Sequence, residues 1–182
     1  GDASGATHVG VTDDEIHVGS VTDKGFAGAP GLNKEMYDTA VAFAAWCNEH
    51  GGILGRDIVV DDLDAALTEY EARLTEACEE DFALVGGGAV FDDDPNDVRV
   101  GCDLGNIAGY VVSARGRSAD LQVQPLPNAI YNINQGRYNA AARDFPDSGA
   151  KYGIMASEIN SVLLVKQQAI EAVASMMARL NS

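Results

Sequence analysis

The chain has 182 residues, 46% of them apolar, and its 28 acidic against 12 basic side chains give a formal net charge of −16. That length builds one substantial core or one and a half small ones, and neither the apolar fraction nor the complexity is that of a disordered chain. The acidity argues against nucleic acid and anionic membrane as partners and otherwise reads as solubility or a salty habitat, while no run of about 18 apolar residues is there to span a membrane.

The first ten residues, GDASGATHVG, are small and polar, without the basic start and apolar run of a signal peptide. Residues 1–14 are expected as a flexible leader left by processing or cloning. EIHVGSV (15–21) is β-rich and breaks into the glycine-rich TDKGFAGAPG (22–31). From Asn33 to His50, the residues Met36, Ala40, Phe43, Ala44 and Cys47 recur at helical spacing, and two glycines at 51 and 52 stop the pattern. DIVVDD (57–62) predicts a second strand. TEYE (68–71) reads as a capping box, Thr68 to Glu71, opening a helix striped by Tyr70, Leu74, Ala77 and Cys78. FALVG (82–86) predicts the third strand, PNDVRVGCDL (95–104) a short helix and GYVVS (109–113) the fourth strand. Three βα units in a row predict a parallel sheet with helices on both faces.

The stretch DFALVGGGAVFDDDP (81–95) runs from a strand into three glycines and then into carboxylates. It is not a phosphate loop: no lysine follows the glycines, and a G-x-G-x-x-G pattern started at Gly86 would place its third glycine on Phe91. Asp94 and Pro95 read as N-cap and first residue of a helix, so carboxylates already occupy the place where a phosphate would sit. Two readings of the glycines stay open, tight packing of strand against helix or close approach of a small zwitterion or amide to the backbone.

AFAAWCNEHGGILGRDIVVDDLDAA (42–66), with its N-x-x-G-G-I-x-G-R turn, resembles the type I solute-binding proteins of ABC transporters, in the group that serves branched-chain amino acids, amides and urea. FALVGGGAVFDD and IAGYVVSARGRSADLQVQPLPN resemble that family's third and fourth strands and its crossing into the second lobe. The resemblance spans residues 11–182 and implies an α/β fold: a three-layer α-β-α sandwich with a parallel sheet, the lobe of a type I periplasmic binding protein, over residues 15–120. Residues 121–182 would then be the hinge crossing and an incomplete second lobe. It also implies capture of an amino acid or amide without a chemical step, a membrane permease as partner, no cofactor, and an extracellular or periplasmic place with a lipoprotein tether. Solute contacts would come from Lys24, Gly25 and Phe26 after the first strand, from Gly88, Ala89, Val90 and Phe91 after the third, and from Gly116, Arg117 and Ser118 after the fourth. Ser157, Glu158 and Asn160 would face them from the second lobe. Arg117 would pair with a solute carboxylate in bidentate fashion or stand as an exposed charge at a loop tip.

Three cysteines without a C-x-x-C pair and three scattered histidines do not make a metal site. A sheet of order 2-1-3-4 with right-handed crossovers sets the second and third helices side by side, which predicts a Cys78–Cys102 disulfide and leaves Cys47 as a buried apolar residue. A nucleophile elbow is lacking around Ser157. Asp61, Asp62 and Asp64, with Thr22, Asp23 and Lys24, leave a receiver-like or flavodoxin-like protein as a remote alternative, and a ligand-sensing or interaction domain on the same lobe as a nearer one.

After LQVQPLPN (121–128), the second part is expected to hold a helix around Arg137–Asp144, a strand KYGIMA (151–156) and a helix over 161–180. That last helix has apolar residues on two faces, Leu163, Ile170, Val173, Met177 and Leu180 on one and Val162, Val165, Ala169 and Met176 on the other. A lone strand and a doubly apolar helix predict a homo-oligomer joined through residues 121–182.

Overall fold

The computed structural model describes residues 5–93, 96–126, 130, 134–147 and 152–180. In chain order the elements are β1 (Glu15–Thr22), α1 (Lys34–Glu49), β2 (Asp57–Asp64), α2 (Tyr70–Glu80), β3 (Ala83–Val85), α3 (Asn96–Gly101), β4 (Gly105–Ile107), α4 (Ala114–Arg117), β5 (Gln122–Val123), α5 (Gln135–Asp144) and α6 (Asn160–Leu180). The five strands form one parallel sheet in the order β2-β1-β3-β4-β5. β1 and β2 pair over their full length, Glu15 with Asp57 through Thr22 with Asp64. The α/β sandwich with a parallel sheet is therefore present as expected.

The spacing of apolar residues explains which face each helix buries. On α2, Tyr70, Leu74 and Ala77 lie at helical intervals and enter the main core with Val21, Leu63 and Leu84 from the sheet. A disulfide joins Cys78 to Cys102 across 5.9 Å between Cα atoms, tying α2 to the residue that follows α3. Cys47 is a free, partly buried thiol. α1 covers less than its periodicity suggests: Ala44 is its buried residue, and Phe43 and Trp46 project outward.

Four local expectations need correction. The fourth strand is Gly105–Ile107 and not 109–113, because the amides of Val112 and Ser113 are taken by the Asp92 carboxylate at 2.8 Å each and are lost to a ladder. Thr68 does not cap α2; its hydroxyl goes to Glu69, and the helix starts at Tyr70 behind two left-handed residues, Ala66 and Leu67. Residues 152–156 form no strand, since no neighbouring strand offers them a ladder, and they lie exposed. Gln122–Val123, expected in the hinge crossing, instead close the first sheet as its fifth strand. The Asp94 and Pro95 capping pair lies outside the described residues.

A buried arginine holds that fifth strand. Arg99 donates from Nη1 to the carbonyls of Leu104 (2.9 Å) and Leu121 (3.1 Å) and from Nη2 to that of Asp120 (2.8 Å). Burial lowers its pKa, against the opposing pull of Tyr70 and Asp120. The segment expected as a leader also has contacts: Arg56 donates to the carbonyls of Thr12 (2.6 Å) and Gly5 (3.0 Å), and Val11 is buried. A second, smaller core joins α5 to α6 through Tyr138, Ala142, Ala172, Val173 and Met176. It covers one stripe of α6 and leaves Leu163, Val165, Ile170 and Met177 exposed. Among the described residues no helix is long and apolar enough to cross a membrane.

Asp81, at the end of α2, lies over Gly19 of β1: a Cβ on that glycine would meet its Oδ2 at 2.5 Å. Asp81 is 2% exposed, and neither carboxyl oxygen has a donor. Its neighbour is Asp61, another carboxyl, so only a proton held between the two can join them. Burial, followed by Asp61, pushes the Asp81 pKa up to about 8. On the other side of Asp61, His17 Nδ1 lies 2.8 Å from Oδ2, and Glu15 stands 3.5 Å from Nε2. The Asp61 hydrogen bond, the largest cause, raises the His17 pKa.

In an unfolded chain an aspartic acid loses its proton near pH 4, whereas Asp81 holds it to about pH 8 in the fold. Between those values the folded state binds the extra proton, so stability falls as pH rises. His17, also raised, contributes in the same direction: its stabilisation is complete below about pH 6.5 and is lost as pH climbs through the folded value. The urea midpoint should therefore drop between pH 4.5 and 8.5, and Asp81→Asn, which copies the protonated acid, should flatten most of that slope; an unchanged slope would remove the shared proton from the account. Cys78→Ser, which opens a link spanning 24 residues, should cost about 3 kcal/mol by chemical denaturation.

Candidate functional site

In a parallel sheet the loops that leave the carboxyl ends of the strands form the natural crevice. Here one buried side chain arranges them. Asp23, directly after β1, accepts from the Leu67 amide with Oδ1 and from the Val90 amide with Oδ2, each at 2.8 Å. The β2–α2 and β3–α3 loops are thereby pinned to the end of β1. Asp92 continues the pattern by receiving Val112 and Ser113, while its own carbonyl accepts from Asn96 Nδ2 at 2.7 Å. Burial raises the Asp92 pKa, and the two amides oppose that shift.

Between these loops and the start of α6 lies a cavity of about 470 Å³. One wall is Leu67, Thr68, Tyr70 and Glu71, a second is Phe91 and Asp93, and the third is the run Glu158 to Ser161. Burial raises the Tyr70 phenol, so its hydroxyl keeps its proton at neutral pH. Ser161 is buried, and its hydroxyl has no hydrogen-bond partner.

Of the residues expected at a solute site, Phe91, Glu158 and Asn160 meet in this cavity. Ser157 is exposed beside them. The β1–α1 group has other partners: Lys24 pairs with Asp62, which raises its pKa, and sits 4.6 Å above the Tyr37 ring. The Gly25 amide donates to Asp64 Oδ1 at 3.1 Å, and the Phe26 ring folds over Gly28. Gly88 donates to the Val21 carbonyl at 3.0 Å, and a Cβ on it would lie 2.5 Å from the Tyr110 carbonyl oxygen. A Cβ on Gly87 would lie 2.4 Å from the Val21 backbone. What approaches these two glycines is neighbouring main chain, which favours the packing reading at Gly87 and Gly88, while Gly86 stands in open space with a positive φ of 75°. Ala89 is buried in the core, and Val90 is held by Asp23. The Gly116 amide donates to Ser113 Oγ at 2.8 Å. Ser118 Oγ turns back to the Ala114 carbonyl at 3.0 Å. Arg117, its pKa lowered by burial, reaches the Val111 carbonyl and Gln168 Oε1 of α6, both at 3.3 Å, so it is not a free charge at a loop tip.

Sequence reasoning missed the β2–α2 wall: TEYE reads as a cap, and Thr68, Tyr70 and Glu71 line the cavity instead. It also missed Ser161. The aspartates in the second half of β2 have separate partners, Asp61 with His17, Asp62 with Lys24 and Asp64 with the amides of Gly25 and Ala66. Among the described residues no group of three or more side chains could hold a metal ion.

Two solved structures match this architecture. An ABC transporter substrate-binding protein from Desulfitobacterium hafniense, in complex with Leu, is 18% identical with a TM-score of 0.61 over 90% of this chain and 48% of its own. This chain shares its fold. A second ABC transporter substrate-binding protein from the same organism is 15% identical, with a TM-score of 0.57 over 92% of this chain and 48% of its own. The chain thus spans about half the length of these substrate-binding proteins, consistent with one lobe and its continuation. No family model and no curated protein matches the sequence.

Asp23→Ala would leave two amides without acceptors and should destabilise the fold by about 3 kcal/mol. Hydrogen exchange should quicken at Leu67 and Val90, the two amides it holds, and stay slow in β3. Equal protection at all three would show that the loops stand without the carboxylate.

Proposed function

We propose that the chain captures a small polar solute, an amino acid or amide, for an ABC importer, with no chemical step of its own. The observation that carries this reading is the cavity between the β2–α2 loop, the β3–α3 loop and the start of α6, at the crevice where open parallel sheets place ligands. Its mixture of apolar and polar lining residues suits a small molecule, and the shared fold with substrate-binding proteins supports the same role. On this reading Phe91, Glu158 and Asn160 contact the solute, a membrane permease receives it, and the protein works outside the membrane, in the periplasm or on the cell surface as a lipoprotein. Lys24, Gly25, Phe26, Gly88, Ala89, Val90, Gly116, Arg117 and Ser118 are not among the residues that line this cavity.

The exposed stripe of Leu163, Ile170 and Met177 on α6 supports self-association of this chain through residues 121–182. The two parts of the proposal are separable in solution. Saturation-transfer NMR over a set of amino acids and their amides should give signals that Phe91→Trp, which fills the cavity, reduces at least tenfold; signals indifferent to that change would move the solute elsewhere. Sedimentation should give a dimer or larger species that Ile170→Glu converts to monomer, and a monomeric parent chain would end the oligomer proposal.

A further inference from the structure

We infer that the cavity takes the ammonium end of a cationic amine with an aliphatic remainder and discriminates against a free carboxylate. The inference rests on the solute-binding reading above and narrows it to one kind of solute. Three carboxylates stand on the walls, Glu71, Asp93 and Glu158, and no lysine or arginine lines them. The two cations with a sequence claim on the site are committed elsewhere, Lys24 to Asp62 and Arg117 to Val111 and Gln168.

The backbone pulls the other way. Both α2 and α6 start at the cavity, with Tyr70 and Asn160, and each helix start is equivalent to roughly half a positive charge. Three whole negative charges exceed two half-positive ones. Glu71 lies in the first turn of α2 and Glu158 just ahead of α6, so two of the carboxylates already answer the helix ends. What remains favours a cation.

Ser161 is the independent sign that a ligand belongs here. It is 1% exposed, its hydroxyl has no partner, and it lines the cavity. A buried hydroxyl without a partner is disfavoured unless a guest completes it; because a hydroxyl both donates and accepts, Ser161 marks a polar guest, and the carboxylates around it set the sign of that guest's charge. Leu67, Phe91 and Ile159 supply apolar surface for an aliphatic remainder.

Three probes with one carbon skeleton separate the possibilities: leucinamide as cation, leucine as zwitterion and 4-methylpentanoate as anion. Each is titrated into the full chain by calorimetry at low and at physiological salt, with amide shifts recorded in parallel. Leucinamide is expected to bind at least tenfold more tightly than leucine, with 4-methylpentanoate undetected, and to perturb Phe91 and Ile159. Its affinity should fall with salt and drop about tenfold in Glu158→Gln, an exposed position where folding is not at stake. Glu49→Gln, equally exposed but on α1, should leave it unchanged. Leucine or 4-methylpentanoate binding as tightly as leucinamide would overturn the charge preference and leave solute capture standing. An equal loss in Glu49→Gln would reduce the effect to the net charge of the chain and overturn it too. If none of the three binds, the solute reading falls together with this one.

Discussion

Asp23 has no exposure to solvent, and each of its carboxylate oxygens receives one main-chain amide. An isolated charge in that position would be costly; two charge-assisted hydrogen bonds compensate it. Their consequence is geometric. The donors come from loops that are 44 and 67 residues away in the chain, and holding both at one point sets the width of the crevice between the two loops. Leu67 and Thr68 on one side and Phe91 on the other face the cavity, with the amides of Leu67 and Val90 held by the one carboxylate.

Long-range pinning of this kind explains what could be read from the sequence and what could not. The sheet order and the Cys78–Cys102 link were legible because right-handed crossovers and helical spacing are local rules with global results. The fourth strand was misplaced by a few residues because GYVVS has strand composition while the Asp92 side chain, about 20 residues away, takes two of its amides. Propensity describes what a segment does when its backbone is free to pair, and here it was not. Similarly, KYGIMA has the composition of a strand without a neighbour to pair with.

The site divides along the same line. Phe91 follows a strand whose end the pattern locates, whereas Glu158 and Asn160 were expected behind a strand that does not form and line the cavity from the start of α6 instead. The glycines at 87 and 88 drew attention for the right physical reason, close approach, with main chain as the visitor. Leu67, Thr68, Tyr70 and Glu71 escaped notice because their role depends on Asp23, and nothing in the local spacing of TEYE reveals a partner in another loop. Ser161 is invisible for a related reason: burial of a serine at a helix start is set by what packs over it.

The exposure of α1 has a practical result for anyone observing this molecule by light. Trp46 is the single tryptophan of the chain, 55% exposed, with its ring 4.8 Å from that of His50 and 5.7 Å from that of Phe43. It sits in the second half of α1, and because α1 returns against the direction of the strands, that half lies toward the amino edge of the sheet, away from the crevice. Intrinsic fluorescence therefore samples a patch of outer helix and its aromatic neighbours. An occupant of the crevice would leave that emission unchanged, so binding there would pass unseen by intrinsic fluorescence.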